Sequence, residues 1–179
     1  MNDEQTDPHR KKELKQILEE WTGKSIFVTL FDTDIDEFSS RSFWRSIKGR
    51  SNVMILIQTC DNYLFGSYHS TLPECQEKYR EDNDHFVFTI RNPKNYPPTK
   101  FTIKKDWKHR NLYVYGDDQI SDVFFVFGCF LICNNNESFI KTIFNSAYTH
   151  DWDVDASMFV GNVWDNYFDI ERLLCIQFI

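Results

Sequence analysis

Two periods of apolar and polar residues alternate along this chain. Over residues 9–21 the apolar side chains Leu14, Ile17, Leu18 and Trp21 recur at i, i+3, i+4 and i+7, the stripe of an amphipathic helix, and Gly23 stops it. One and a half heptads make no coiled coil. The stripe therefore reads as a helix packed on the domain, with a partner helix as the alternative. A second short helix is expected over residues 39–48. Phe43, Trp44 and Ile47 form its buried face, Ser39 or Ser40 caps its start, and Gly49 ends it.

Strand-type patterns cover residues 25–31, 53–57, 63–65, 85–90, 101–103, 112–115, 123–133 and 167–179. The second and third are joined by a tight turn at Asp61-Asn62, and the 123–133 run is expected to break or bend at Gly128. Loops are expected at 32–37, 70–84 (with one helical turn at most), 92–99 and 145–159. Residues 138–144 fit neither period, and residues 1–9 read as disordered. Three prolines among residues 92–99 cannot donate to a ladder. Many short strands with few helices predict a mainly β antiparallel sandwich. The organisation expected is a polar segment at 1–24 carrying the first helix, then one domain at 25–179.

Composition narrows the class. A chain of 179 residues makes one domain large enough to need no staples. Its 17 phenylalanines favour strands around a thick aromatic core. A net charge of −7 argues against generic attraction to phosphate backbones and suits an acidic protein-interaction module. The cysteines are Cys60, Cys75, Cys129, Cys133 and Cys175. They are odd in number and match no zinc spacing, and most lie in apolar runs, as reduced thiols of a cytosolic core would. The polar N-terminus has no hydrophobic signal region, and the longest apolar run, 123–133, is far short of a membrane span. A cytoplasmic location without membrane insertion is expected.

Four features carry candidate chemistry. Asp32, Asp34 and Asp36, and again Asp151, Asp153 and Asp155, alternate as cation ligands can. Neither triplet has the Gly and Glu of a calcium loop, so solvated acidic loops are the simpler reading and Asp151, Asp153 and Asp155 a weak cation site. Cys129 and Cys133, placed on one strand, would lie about 13 Å apart, too far to bridge. Of two basic clusters, Arg41, Arg45, Lys48 and Arg50, and Lys100, Lys104, Lys105, Lys108 and Arg110, the candidate partner-docking residues are Arg41, Arg45, Lys104, Lys105 and Lys108. Trp107 and His109 interleave with the second cluster, so single-stranded nucleic acid is a further alternative, disfavoured by the acidity of the chain. Cys75, read as the one cysteine in a polar loop, is the redox candidate, although its neighbour Glu74 would raise its pKa rather than lower it. A pairing of Cys75 with His69 or His85 can be written down, but proximity in sequence does not establish it. No phosphate loop or HExxH motif is present, and no cofactor is expected.

Several segments, in order, resemble the TLDc domain, a eukaryotic module of oxidation-resistance proteins. They are Ser42-Phe43-Trp44-Arg45, Lys48-Gly49 with the apolar strand 53–57, Phe65-Gly66-Ser67-Tyr68, residues 86–90, Phe125-Val126-Phe127-Gly128 and the closing run 168–178. The resemblance spans residues 26–179. It implies a two-sheet antiparallel sandwich flanked by short helices. It also implies protection against oxidative stress by a mechanism that is not clearly enzymatic, and binding to the vacuolar proton pump to regulate its assembly. It carries no catalytic residues. The function expected is a non-catalytic interaction module, with a redox-active cysteine enzyme or sensor as the alternative and a nucleic-acid binder behind it.

Overall fold

The computed structural model describes residues 8–149, 154–161 and 166–179, the first five of these as backbone only. Strands β1 (Phe27–Asp32), β2 (Ser51–Thr59), β3 (Leu64–Thr71), β4 (Phe86–Arg91) and β5 (Thr99–Ile103) are followed by β6 (Leu112–Val114), β7 (Asp122–Val126), β8 (Phe130–Cys133) and β9 (Ser138–Ile140). The two-residue strands β10 (Tyr148–Thr149) and β11 (Tyr167–Phe168) and the long β12 (Ile170–Phe178) complete the set. They form two antiparallel sheets. Sheet A has the order β1-β12-β2-β3-β4-β5-β10 and sheet B the order β11-β9-β8-β7-β6. The expected antiparallel β-sandwich is the fold.

The core lies between the sheets and is aromatic. Phe43 stacks on Phe124 at 4.4 Å, and Phe65 meets Phe130, Phe159 and Phe168 edge-on at 5.6, 5.5 and 5.3 Å. Burying each such ring contributes about 2 kcal/mol. Helix α1 (Pro8–Thr22) covers the other face of sheet A. Leu18 is buried there, and Trp21 packs on Phe88 and Phe86 at 5.5 and 6.1 Å. This is why β2 is apolar at consecutive positions: Val53, Ile55 and Ile57 face the sandwich interior, Met54 and Leu56 face α1. Helix α2 (Ser40–Ile47) is capped by Ser39, whose hydroxyl accepts from Ser42 N at 3.2 Å. Ser40 instead turns inward and donates to the Tyr115 carbonyl.

The structure departs from the sequence reading in five places. Residues 123–133 are not one bent strand but the hairpin β7–β8, reversing at Gly128, whose φ is +72°. A Cβ there would also lie 2.4 Å from Ala147 Cβ. Cys129 therefore sits in the turn and Cys133 at the end of β8, both buried and unbridged. The closing run splits at Asp169, β11 joining sheet B and β12 sheet A. Residues 145–159 are not all loop. Helices α3 (Phe144–Ala147) and α4 (Ser157–Val160) and strand β10 place Ala147, Tyr148, Met158 and Phe159 in the core. Strand β3 runs on to Thr71, deeper into the expected loop. Asp32 closes β1 and is buried, where a solvated loop residue was expected. Each element missed is too short to display a period, and its burial depends on contacts far away in sequence.

Candidate functional site

Strand alternation places a polar cluster inside the sandwich. On β3, Ser67 and His69 follow Phe65 on the inner face, and the register Tyr68↔Phe86 brings His85 opposite His69 one step further on. The two imidazoles stack at 4.5 Å between centroids and are sealed from solvent. Nδ1 of His85 lies 2.8 Å from the Tyr68 carbonyl, which can only accept, so Nδ1 carries the proton. Nε2 is then an acceptor, 2.9 Å from the Tyr148 hydroxyl, which also lies 2.8 Å from the Phe127 carbonyl. One phenolic proton thus serves two acceptors. His69 Nε2 lies 2.9 Å from Ser67 Oγ, while its Nδ1 has no partner among the described residues. Burial pushes the basicity of both rings down, well below the usual value for His69 and to about 4 for His85. Proximity of His85 adds to this at His69, and the Tyr68 carbonyl and Asp82 oppose it at His85. A cavity of about 480 Å³ beside the end of α1 includes His85 in its lining.

A second feature faces outward. The residues of sheet B that point away from the core stand directly opposite one another across all its strands: Tyr113↔Phe125, Phe125↔Leu131, Leu131↔Phe139 and Phe139↔Tyr167. Tyr79, from the segment after β3, extends the stripe, 5.3 Å from Tyr113 and 5.9 Å from Phe125. The ammonium of Lys141 lies over Phe139 at 4.5 Å and Phe125 at 5.8 Å, and burial against these rings lowers its pKa. Tyr167, at the edge, is 60% exposed. No described helix covers this face, in contrast to sheet A under α1. Each member comes from a different strand, so no local sequence motif announces the stripe.

The residues singled out in the sequence have separate fates. Arg41 pairs with Asp117 at 3.1 Å and Arg45 is exposed on the same helix. Lys104 donates to the Asn145 carbonyl at 2.6 Å, Lys108 to Asn83 at 3.2 Å, and Lys105 is exposed on a single 3₁₀ turn (Lys105–Trp107). Trp107 packs against Phe127 at 5.0 Å. Asp151 and Asp153 lie outside the described residues. Asp155 accepts from Ser157 N and from the Ser157 hydroxyl, and pairs with Lys94 at 3.7 Å. The first triplet is organised by a cation of the chain itself. Asp32 accepts two hydrogen bonds from Arg172, at 3.0 and 2.5 Å, and Asp34 pairs with the same guanidinium at 3.0 Å. Among the described residues, no cluster of three or more His, Cys, Asp or Glu side chains could hold a metal ion.

Cys75 is exposed, on a loop tethered by Gln76, whose amide donates to the Tyr115 carbonyl at 2.6 Å and to Asp117 at 3.0 Å. His69 and His85 are inside the sandwich, so the pairing of Cys75 with either does not form. Cys75 is also not alone at the surface, because Cys60 is exposed in the β2–β3 turn. The other three thiols are buried, and burial raises their pKa, to about 12 at Cys133. Labelling the folded chain with an aromatic disulfide reagent should therefore show two fast thiols and three that react only on unfolding. A third fast thiol would contradict the packing of β8 or β12.

The two sheets, the outer helix and the order of these segments can be compared with known families. A family profile described as TLDc domain matches residues 5–171. The chain belongs to the TLDc family. No curated protein matches the chain closely enough to add a relative. The TLDc match takes in α1, strands β1 to β11 and the first residues of β12, and with them the buried histidine pair and the outward stripe of sheet B. Within this TLDc domain, Gly66 of the Phe65-Gly66-Ser67-Tyr68 segment sits where β2 and the Phe88 ring leave no room for a side chain.

Proposed function

We propose that this TLDc domain acts by binding a protein partner in the cytoplasm, as a non-catalytic module of oxidative-stress protection, and that the partner is a subunit of the vacuolar proton pump. The observation that carries the reading is the outward stripe of sheet B. Interface centres are enriched in aromatic residues and depleted of charge, and here aromatic rings from four strands and a loop line one face, with one partly desolvated lysine lying over two of them, Phe125 and Phe139. The oxidative-stress role and the pump come with the family resemblance.

The test is a titration of the purified chain against purified peripheral subunits of the pump by calorimetry. Phe139→Ala and Tyr167→Ala together should weaken binding by about tenfold or more while leaving the melting temperature within a few degrees, since both residues are at least partly exposed. Absence of binding, or a double variant that binds like the parent, would remove this reading. The redox alternative rests on the exposure of Cys75 and Cys60. Thiol-dependent peroxide turnover that disappears in Cys75→Ser would favour it instead.

A further inference from the structure

The cavity of about 480 Å³ lies on the α1 face of sheet A, across the sandwich from the aromatic stripe of sheet B. Its floor is the row Tyr68↔Phe86↔Thr102 across β3, β4 and β5, in which Tyr68 stacks on Phe86 at 5.0 Å. Trp21, in the last turn of α1, stands edge-on to Phe86 at 6.1 Å and forms one wall. The volume falls in the range of small-molecule sites and equals that of roughly 16 water molecules.

The lining is rich in donors. The Tyr68 hydroxyl donates to Asn52 Oδ1 at 3.0 Å and Lys108 donates to Asn83 Oδ1 at 3.2 Å, so both amide oxygens are engaged within the chain. The amide nitrogens of Asn52 and Asn83 have no partner among the described residues, and the ammonium groups of Lys24 and Lys100 have no ion-pair partner there. Lys100 instead leans over the Phe86 ring at 5.1 Å. Among the described residues, Asp84 is the one carboxylate in the lining, and it makes no ion pair. Asp84 precedes Phe86 by two residues, whereas Lys100 is in register with Phe88, two residues beyond it. The carboxylate and this ammonium therefore enter from opposite ends of the floor.

We propose that this cavity is a binding site for a small phosphorylated polyol, its phosphate held by Lys24 and Lys100 and its hydroxyls by Asn52, Asn83 and Asp84. Two unpaired ammonium groups match the charge of a phosphate monoester, about −2 at neutral pH, and lysine binds phosphate as a point charge. A bare anion fits less well. Asp84 repels it, and the end of α1 brings the negative pole of the helix dipole to the same wall. A hydroxyl can donate to the carboxylate and accept from the two amides, so a ligand that carries hydroxyls beside its phosphate answers both ends. A purely apolar molecule would desolvate the four donor groups without pairing them. The rim continues the same charge. Lys108 touches Asn83, and Lys104, Lys105, Lys108 and Arg110 make no ion pair among the described residues, with Asp106 the one acid in that stretch. Such a field draws an anion toward the cavity although the chain as a whole carries a net charge of −7.

An NMR titration of the isotope-labelled full chain with glucose 6-phosphate tests this. Saturable shifts of the Trp21 indole N–H and of the Lys24 and Lys100 amides are expected, with a Kd of about 1 mM or tighter. Glucose and inorganic phosphate, each offering half of the recognition, should bind about tenfold more weakly or worse. Lys24→Gln with Lys100→Gln should weaken glucose 6-phosphate by about tenfold or more, and added salt should act in the same direction. Neither ammonium is ion-paired and both side chains reach solvent, so this variant keeps its fold. Asp84→Asn should weaken glucose 6-phosphate by about fivefold while inorganic phosphate binds as before or tighter, because the carboxylate serves a hydroxyl but repels a bare anion. The absence of saturable shifts at the cavity overturns the proposal, as does a double-lysine variant that binds like the parent or inorganic phosphate bound as tightly as the sugar phosphate. An Asp84→Asn variant that tightens both ligands is the mark of a bare anion site and overturns it too.

Discussion

Lowering the pH from 7 to 4 should cost this TLDc domain about 3 kcal/mol or more of stability through the stacked pair His69 and His85 acting together. Burial holds His85 at about 4, against an ordinary value of 6.5, and holds His69 well below that value. Both rings are therefore neutral in the folded chain. Below about pH 6.5 the unfolded chain binds protons that the folded chain refuses. The stability contributed by the neutral rings is complete above that pH and drains away as the pH falls toward 4. The neighbours set the size but not the sign. The Tyr68 carbonyl and Asp82 favour protonated His85, and burial outweighs both. Hydrogen bonds from Arg172 hold the Asp32 carboxyl below its usual range, and those from Ser157 do the same for Asp155, so their losses come at lower pH. Urea midpoints at pH 7, 6, 5 and 4 measure the slope. His69→Gln with His85→Gln should start from a lower baseline and flatten the decline. A double variant with the slope of the parent would show that the buried pair is not its source.

Gly66→Val should be the most damaging single substitution among the glycines. The strand position needs no unusual backbone angle, so the reason for glycine is space. An added Cβ would lie 1.9 Å from the Ile55 carbonyl oxygen and 2.9 Å from Phe88 Cζ. The first obstacle is backbone of the neighbouring strand β2, which cannot rotate away. Relief requires β2 and β3 to part in the centre of sheet A, where their pairing runs from Ser51↔Thr71 to Gln58↔Leu64. Overpacking of this kind costs about 3 kcal/mol or more, which for a chain of this size lowers the melting temperature by about 10 °C. Gly49→Ala is the comparison. Its φ is +72° with nothing within 4 Å of the added Cβ, so only the left-handed backbone is penalised, by about 1 kcal/mol. Equal melting temperatures for the two variants would contradict the close approach at Gly66.

The same contrast between local and distant causes separates what could be read early from what could not. Ser39 as cap, Gly49 as stop and the Asp61-Asn62 turn were legible because capping and turn chemistry act within a few residues. The strings around Phe43 and Gly66 were enough to suggest the family. The basic clusters and Cys75 were equally visible, yet the structure distributes them over separate surface positions. The buried cluster had no such signal, because His69 and His85 become neighbours only through the pairing of β3 with β4.

By itself, then, the sequence determined that this is a mainly β TLDc chain with a helix at its start, through periodicity, turn residues and aromatic content. Tertiary structure alone decided which strand joins which sheet, as the break at Asp169 between β11 and β12 illustrates. It also decided that His69 stacks on His85, that Tyr113, Phe125, Leu131, Phe139 and Tyr167 align, and that β1 is left at an edge. The physical reason is common to all of these. Register is set where two segments meet, and the segments that meet here lie up to about 150 residues apart, as Phe27 and Phe178 do, beyond the reach of any local pattern.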